Sequence, residues 1–111
     1  MATLSSHLLN SVNGKHANNV DIIIYQIKSN GEKTIFFKTK TDSGGRLIKE
    51  FKLDDEDCKS EFEMVCKTGN YFSEKKIISE ITVKFNMKDS NKKYHIPIII
   101  SPNGYSIWWS E

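Results

Sequence analysis

The 111 residues of this chain predict an all-β fold built as a two-sheet sandwich. Three observations carry the prediction. Apolar and polar residues alternate with period two through most of the chain. Turn-forming residues separate the alternating runs after only a few positions. One stretch alone, Tyr71–Ile77, lacks the alternation and reads as a short helix between two strands.

Leu4–Leu9 is the first candidate strand, closed by the turn at Asn13-Gly14. Val20–Ile27 is rich in isoleucine, as expected of a strand covered on both faces. Thr34–Lys40 and Arg46–Leu53 follow, divided from their neighbours by Ser29-Asn30-Gly31 and Ser43-Gly44-Gly45. Phe62, Met64 and Cys66 face one way while Glu61, Glu63 and Lys67 face the other. Ile81–Met87 alternates over its whole length. Beyond Asp89-Ser90-Asn91 comes Tyr94–Ser101, and beyond Pro102-Asn103-Gly104 a last strand is expected over Tyr105–Trp109.

The length fits a single domain over residues 1–111 that builds its own core without staples. A formal charge of +2, with no basic stripe, argues against a nucleic-acid partner. No apolar run reaches the ~20 residues of a membrane helix, so no membrane partner is expected. The first residues lack the pattern of a secretory leader, and the last three are not Ser-Lys-Leu; a cytoplasmic location is the expectation. Cys58 and Cys66 match no metal spacing, and Cys66 reads as a small buried hydrophobe. The run Leu53–Asp57 reads as a solvated loop, because it lacks the glycine and spacing of a calcium loop.

Few residues carry chemistry. His7, His16 and His95 are the three histidines, each suited to acid–base work near neutral pH and each equally readable as a structural or surface group. Arg46 is the single arginine beside fifteen lysines. It is either a solvent-exposed turn exit or a planar fork aimed at carbonyl oxygens, a role lysine fills poorly. Histidines without a third nearby ligand give no support for a metal.

Four blocks spread over the chain resemble the transthyretin-related family, and within it the 5-hydroxyisourate hydrolases. Leu4-Ser5-Ser6-His7-Leu8-Leu9-Asn10 is similar to the family's L-[ST]-[ST]-H-V-L-D. Thr41-Asp42-Ser43-Gly44-Gly45-Arg46 is similar to T-N-x-D-G-R, and Thr68-Gly69-Asn70-Tyr71-Phe72 to T-G-x-Y-F. Tyr94–Pro102 resembles Y-H-V-P-L-L-L-S-P, the most specific block. The departures are His16, where the family usually has proline, Gly44, where it has aspartate, and the carboxyl end. There Trp108, Trp109, Ser110 and Glu111 stand where the family has Y-R-G-S.

The resemblance implies a transthyretin-like sandwich of seven to eight strands with one short helix near Thr68–Lys76, assembled as a homotetramer, a dimer of dimers. It implies hydrolysis of the cyclic amide of 5-hydroxyisourate without metal or organic cofactor. His7, Arg46 and His95 match the family's catalytic positions. His95, with His7 beside it, would deprotonate and orient water, and Arg46 would stabilise the oxyanion. Tyr105, Trp108, Trp109 and Ser110 are the substrate-binding candidates, Ser110 serving for the family's serine if the end shifts by one residue. The alternative is a transthyretin-like protein that binds a planar small molecule on its tryptophans without turning it over.

Overall fold

A computed structural model of the chain describes residues 1–72 and 77–110. Two sheets face each other, as the alternation requires. The first is built on β1 (Ala2–Asn10), whose even-numbered residues are buried and odd-numbered ones half-exposed. Along one side of β1 runs β8 (Lys93–Ser101), parallel and in register from Thr3–Lys93 to Asn10–Ile100. Along the other side run two antiparallel strands in tandem. These are β5 (Arg46–Phe51) against Ala2–His7, and the two-residue β2 (Lys15–His16) against Leu9-Asn10. β9 (Gly104–Ile107) closes the far edge on β8.

The second sheet is antiparallel in the order β4 (Lys33–Lys40), β3 (Asp21–Ile27), β6 (Glu61–Cys66), β7 (Ile81–Asn86). Between the sheets Leu4, Leu8, Ile22, Ile24, Phe62, Met64, Ile98 and Ile100 are completely buried. Phe62 takes the edge of the Phe36 ring and stacks on Phe85, so aromatic contacts tie β4, β6 and β7 together.

Three local expectations need correction. β3 alternates between buried and half-buried residues and is not fully covered on its outer face, because Ile23 and Tyr25 look outward from the sandwich. β5 stops at Phe51, short of Leu53. The acidic run is no loop: Asp55–Lys59 forms the helical turn α1. Its carboxylates are used locally. Asp54 Oδ1 accepts from the Asp57 amide at 2.8 Å and Asp57 Oδ2 from the Asp54 amide at 3.0 Å, a reciprocal cap. Asp57 also holds the buried Gln26 amide at 2.7 Å. The helix expected after β6 is the single turn α2 (Thr68–Tyr71), and residues 73–76 of the expected span lie outside the described residues. Cys66 is buried, and burial pushes its thiol up to about 12.

Candidate functional site

The outer face of the first sheet collects the candidate polar residues. On β1 the odd positions Ser5, His7 and Leu9 look outward, because the even ones fill the core. Register then fixes their neighbours. Arg46 sits directly across from His7 on β5, and His95 sits across from Ser5 on β8. His16 sits across from Leu9 on β2. Ser110 forms an isolated bridge with His95, its amide donating to the His95 carbonyl at 2.8 Å. Strand pairing thus brings His7, His16, Arg46, His95 and Ser110 to one surface.

The two inner histidines are held differently. Nδ1 of His95 lies 2.8 Å from Ser5 Oγ, and no hydrogen bond to its Nε2 is made among the described residues. Nε2 of His7 lies 2.9 Å from Nδ1 of His16, and the two rings meet edge to edge with centroids 5.0 Å apart and planes 29° apart. His7 titrates below its ordinary value. Partial desolvation is the largest cause, followed by the charges of Arg46 and His16; a hydrogen bond to the Gly44 backbone opposes the shift, and His95 adds to it. His7 is therefore kept neutral at neutral pH, beside a permanent guanidinium charge.

The turn that delivers Arg46 is tightly built, and Asp42 does the building. Its Oδ1 accepts from the Gly44 and Arg46 amides, each at 2.9 Å, and its backbone amide closes the loop on the Arg46 carbonyl at 2.8 Å. These amide hydrogen bonds, with the Arg46 charge, hold the Asp42 carboxyl below its usual range. Gly45 carries φ of +72°, and a Cβ there would stand 2.5 Å from the Leu8 carbonyl oxygen. Its own carbonyl accepts from the Leu8 amide at 2.8 Å, which pins the turn to β1 one residue past His7. The aspartate the family carries at position 44 is thus absent without loosening this turn, since Asp42 caps it.

Not every candidate joins the cluster. Tyr105 lies opposite Ile100, on the core-facing side of its strand. The register from Ile98–Ile107 to His95–Ser110 places Trp109 opposite Ile96, again on the inner side. Trp108 and Trp109 line a cavity of about 510 Å³ with Phe85, Tyr94, Ile96 and Ile107 at the mouth between the sheets. Lys92 Nζ stands 5.0 Å from the Trp109 ring centroid. Within one chain, Tyr105 and Trp109 are not brought to the histidines, whereas the same register sets Trp108 opposite Pro97, the β8 residue that pairs with His7.

The contacts of two residues of this surface, Ser5 with His95 and His16 with His7, escape sequence reasoning. Ser5 is visible only as part of a block, although its odd position on β1 puts it on the face of His7. His16 looks like one of several polar residues after a turn. The Asn13-Gly14 hairpin is the available signal, since folding back there returns His16 to β1. Among the described residues no three His, Cys, Asp or Glu side chains stand close enough to share a metal ion. None of the described helices is long and apolar enough to cross a membrane.

Comparisons with known proteins agree with the fold. A 5-hydroxyisourate hydrolase of Salmonella dublin is 35% identical over 108 residues, covering 95% of this chain and 78% of that protein. One of Halalkalibacterium halodurans is 28% identical and covers 95% of this chain and 94% of that protein. Among solved structures, the 5-hydroxyisourate hydrolase of Klebsiella pneumoniae superposes with a TM-score of 0.78 at 20% identity over 100% of both chains. Transthyretin from Sparus aurata gives 0.82 at 20% identity, covering 96% of this chain and 95% of that one. Both structures share the transthyretin-like fold with this chain. The model of the HIUase/Transthyretin family matches residues 4–109, and the chain belongs to that family.

Proposed function

We propose that this chain hydrolyses 5-hydroxyisourate, opening its cyclic amide to give 2-oxo-4-hydroxy-4-carboxy-5-ureidoimidazoline. The observation that carries the reading is the convergence of His7, Arg46 and His95 from three strands onto one outward face. Similarity to 5-hydroxyisourate hydrolases at 28% and 35% identity, over 95% of this chain, supports the substrate.

His95 is the general base in this reading. Its Nδ1 is occupied by Ser5, which orients the ring and leaves Nε2 to take a proton from water. The water oxygen bonds to the ring carbonyl carbon, the carbonyl becomes an oxyanion, and Arg46 stabilises that charge with fixed N–H donors. The C–N bond then breaks, its nitrogen takes a proton, and a carboxyl group remains on carbon. Neutral His7 lies beside Arg46 and orients water without adding a second cation. Ser110, tethered to the His95 backbone, binds substrate.

The site works in a homotetramer, a dimer of dimers, in the cytoplasm. What supports assembly is the openness of the catalytic face, where Ile48 beside Ser5 is 75% exposed. A second copy laid over this face excludes water and strengthens the electrostatics on which Arg46 depends. Sedimentation of the purified chain tests the assembly; a stable monomer at micromolar concentration refutes it.

The hydrolase reading is tested by generating 5-hydroxyisourate with urate oxidase and following its ultraviolet decay. The chain accelerates the decay and His95→Ala abolishes most of the acceleration. A wild-type rate equal to that in buffer overturns the reading. The second reading, binding without turnover, rests on the cavity beside Trp108 and Trp109. It requires urate-like ligands to quench tryptophan fluorescence in a protein that leaves 5-hydroxyisourate decay unchanged.

A further inference from the structure

His16 belongs to the catalytic surface by geometry, yet it stands where the family's pattern has a proline. The hairpin at Asn13-Gly14 folds β2 back onto β1, with Asn10 opposite Lys15 and Leu9 opposite His16. That register carries the His16 ring onto the outer face, diagonal to His7 and on the opposite side of it from β8. The two rings meet edge to edge, their planes 29° apart and their centroids 5.0 Å apart, and the two facing nitrogens are at hydrogen-bond distance, 2.9 Å. His16 is exposed, whereas His7 is half-buried.

We propose that His16 is a positioning residue of the hydrolytic site, an imidazole partner that sets the tautomer of His7 and links it to solvent for proton exchange. This rests on the hydrolase reading above. A single proton lies between Nε2 of His7 and Nδ1 of His16, donated by whichever nitrogen carries it. The tautomer of one neutral ring therefore dictates that of the other. With the proton on His7, Nδ1 of His7 is an acceptor and Nε2 of His16 carries N–H. A proton arriving at Nδ1 of His7 moves the shared proton to His16, and Nε2 of His16 then gives its own proton to solvent. One proton enters and one leaves, so the charge of the pair is unchanged, and both rings end in the other tautomer; the reverse pass, in which a proton enters from solvent at Nε2 of His16 and Nδ1 of His7 gives its proton to the leaving nitrogen, restores the first and closes the cycle.

The surroundings allow only limited charging of the pair. Arg46 on β5, His95 on β8 and His16 on β2 all disfavour a proton on His7, while Asp42 and the Gly44 backbone in the preceding turn favour it. Retaining a second proton on this pair, beside the guanidinium, is opposed by like charge. A proline at position 16 has no group for either role.

The test uses the full chain, His16→Ala and His16→Asn. Ring ¹⁵N resonances of His7, followed against pH, show one preferred tautomer and a titration coupled to His16 in the wild type. In His16→Ala the coupling vanishes and the apparent pKa of His7 rises. With 5-hydroxyisourate as substrate, kcat of His16→Ala falls roughly 3- to 10-fold, the size of one neutral hydrogen bond, while KM stays within about twofold. Added free imidazole at constant pH restores part of that rate. His16→Asn, which keeps a hydrogen-bonding group near the Nδ1 position but cannot relay a proton, restores the His7 tautomer and still needs imidazole for full rate. Either variant matching wild-type kcat, or indifference of the slowed variants to imidazole, overturns the proposal. If the wild type itself leaves 5-hydroxyisourate decay unchanged, the hydrolase reading falls and the ¹⁵N titrations alone decide the pair, an unaltered His7 in His16→Ala refuting it.

Discussion

Ser5 Oγ lies 2.8 Å from Nδ1 of His95, across the parallel pairing of β1 and β8. A hydroxyl at that place fixes the ring plane and engages Nδ1; with Nδ1–H donating to Ser5 Oγ, Nε2 is left for water. Replacing Ser5 with alanine keeps the strand and removes the anchor. We expect kcat for 5-hydroxyisourate to fall roughly 3- to 10-fold with KM changed by less than about twofold. Steady-state kinetics of Ser5→Ala decide it, and an unchanged kcat means that His95 is oriented by something else.

Gly45 is the backbone counterpart of that anchor. Its φ of +72°, and the mere 2.5 Å that would separate an added methyl from the Leu8 carbonyl oxygen, leave no room for a side chain. Gly45→Ala should cost about 1–3 kcal/mol from the dihedral alone, with a further backbone shift beneath Arg46. Urea unfolding reads the first effect. The second shows as a loss of activity larger than the loss of folded protein at the assay temperature.

Asp42 makes the same turn pH-sensitive. Its folded carboxyl titrates below 3.8, so the turn is stabilised fully above about that pH and loses this contribution as acid protonates it. Asp42→Asn, whose amide oxygen still accepts but carries no charge, should flatten the acid limb of the stability curve. Parallel acid limbs in wild type and variant would show that the carboxylate is irrelevant there.

His7 adds a second slope of the same sign at higher pH. Its folded value is depressed below 6.5, so between the two values the unfolded chain binds more protons. The contribution is complete above pH 6.5 and is lost as pH falls toward the folded value. Urea midpoints at about pH 7.5 and 5.5 should therefore differ more for the wild type than for His7→Gln. Equal differences would place His7 in an unperturbed environment.

The thiols give a third readout. Cys66 is fully buried with its thiol pushed up to about 12, and Cys58 is raised by desolvation first and by the carboxylates of α1 second. A thiol reagent at about pH 8 should label neither at the rate of a free thiol, and Cys66 only on unfolding. Rapid labelling of Cys66 in the native protein would mean that β6 opens locally.

Much of this is legible in one dimension. The alternation in β1 predicts which of its residues face out, so Ser5 and His7 are assignable to one surface from the chain alone. The same rule places Phe62, Met64 and Cys66 inside, and they are inside. The acidic run misleads because its cap depends on reciprocal amide–carboxylate bonds between Asp54 and Asp57, and composition shows only charge. The tryptophans draw attention as aromatic walls, but which side they face depends on the pairing of the last residues with β8.

The sequence by itself determined the strands, the family and the three separated polar residues, because alternation and turn chemistry are local properties of the chain. Tertiary structure alone decided what those residues can do together. Strand register put Arg46 opposite His7 and Ser5 opposite His95, and a two-residue strand returned His16 to the ring of His7. Register is a sum of contacts between distant segments, so neither the Ser5–His95 contact nor the pairing of two histidines could be read from spacing along the chain.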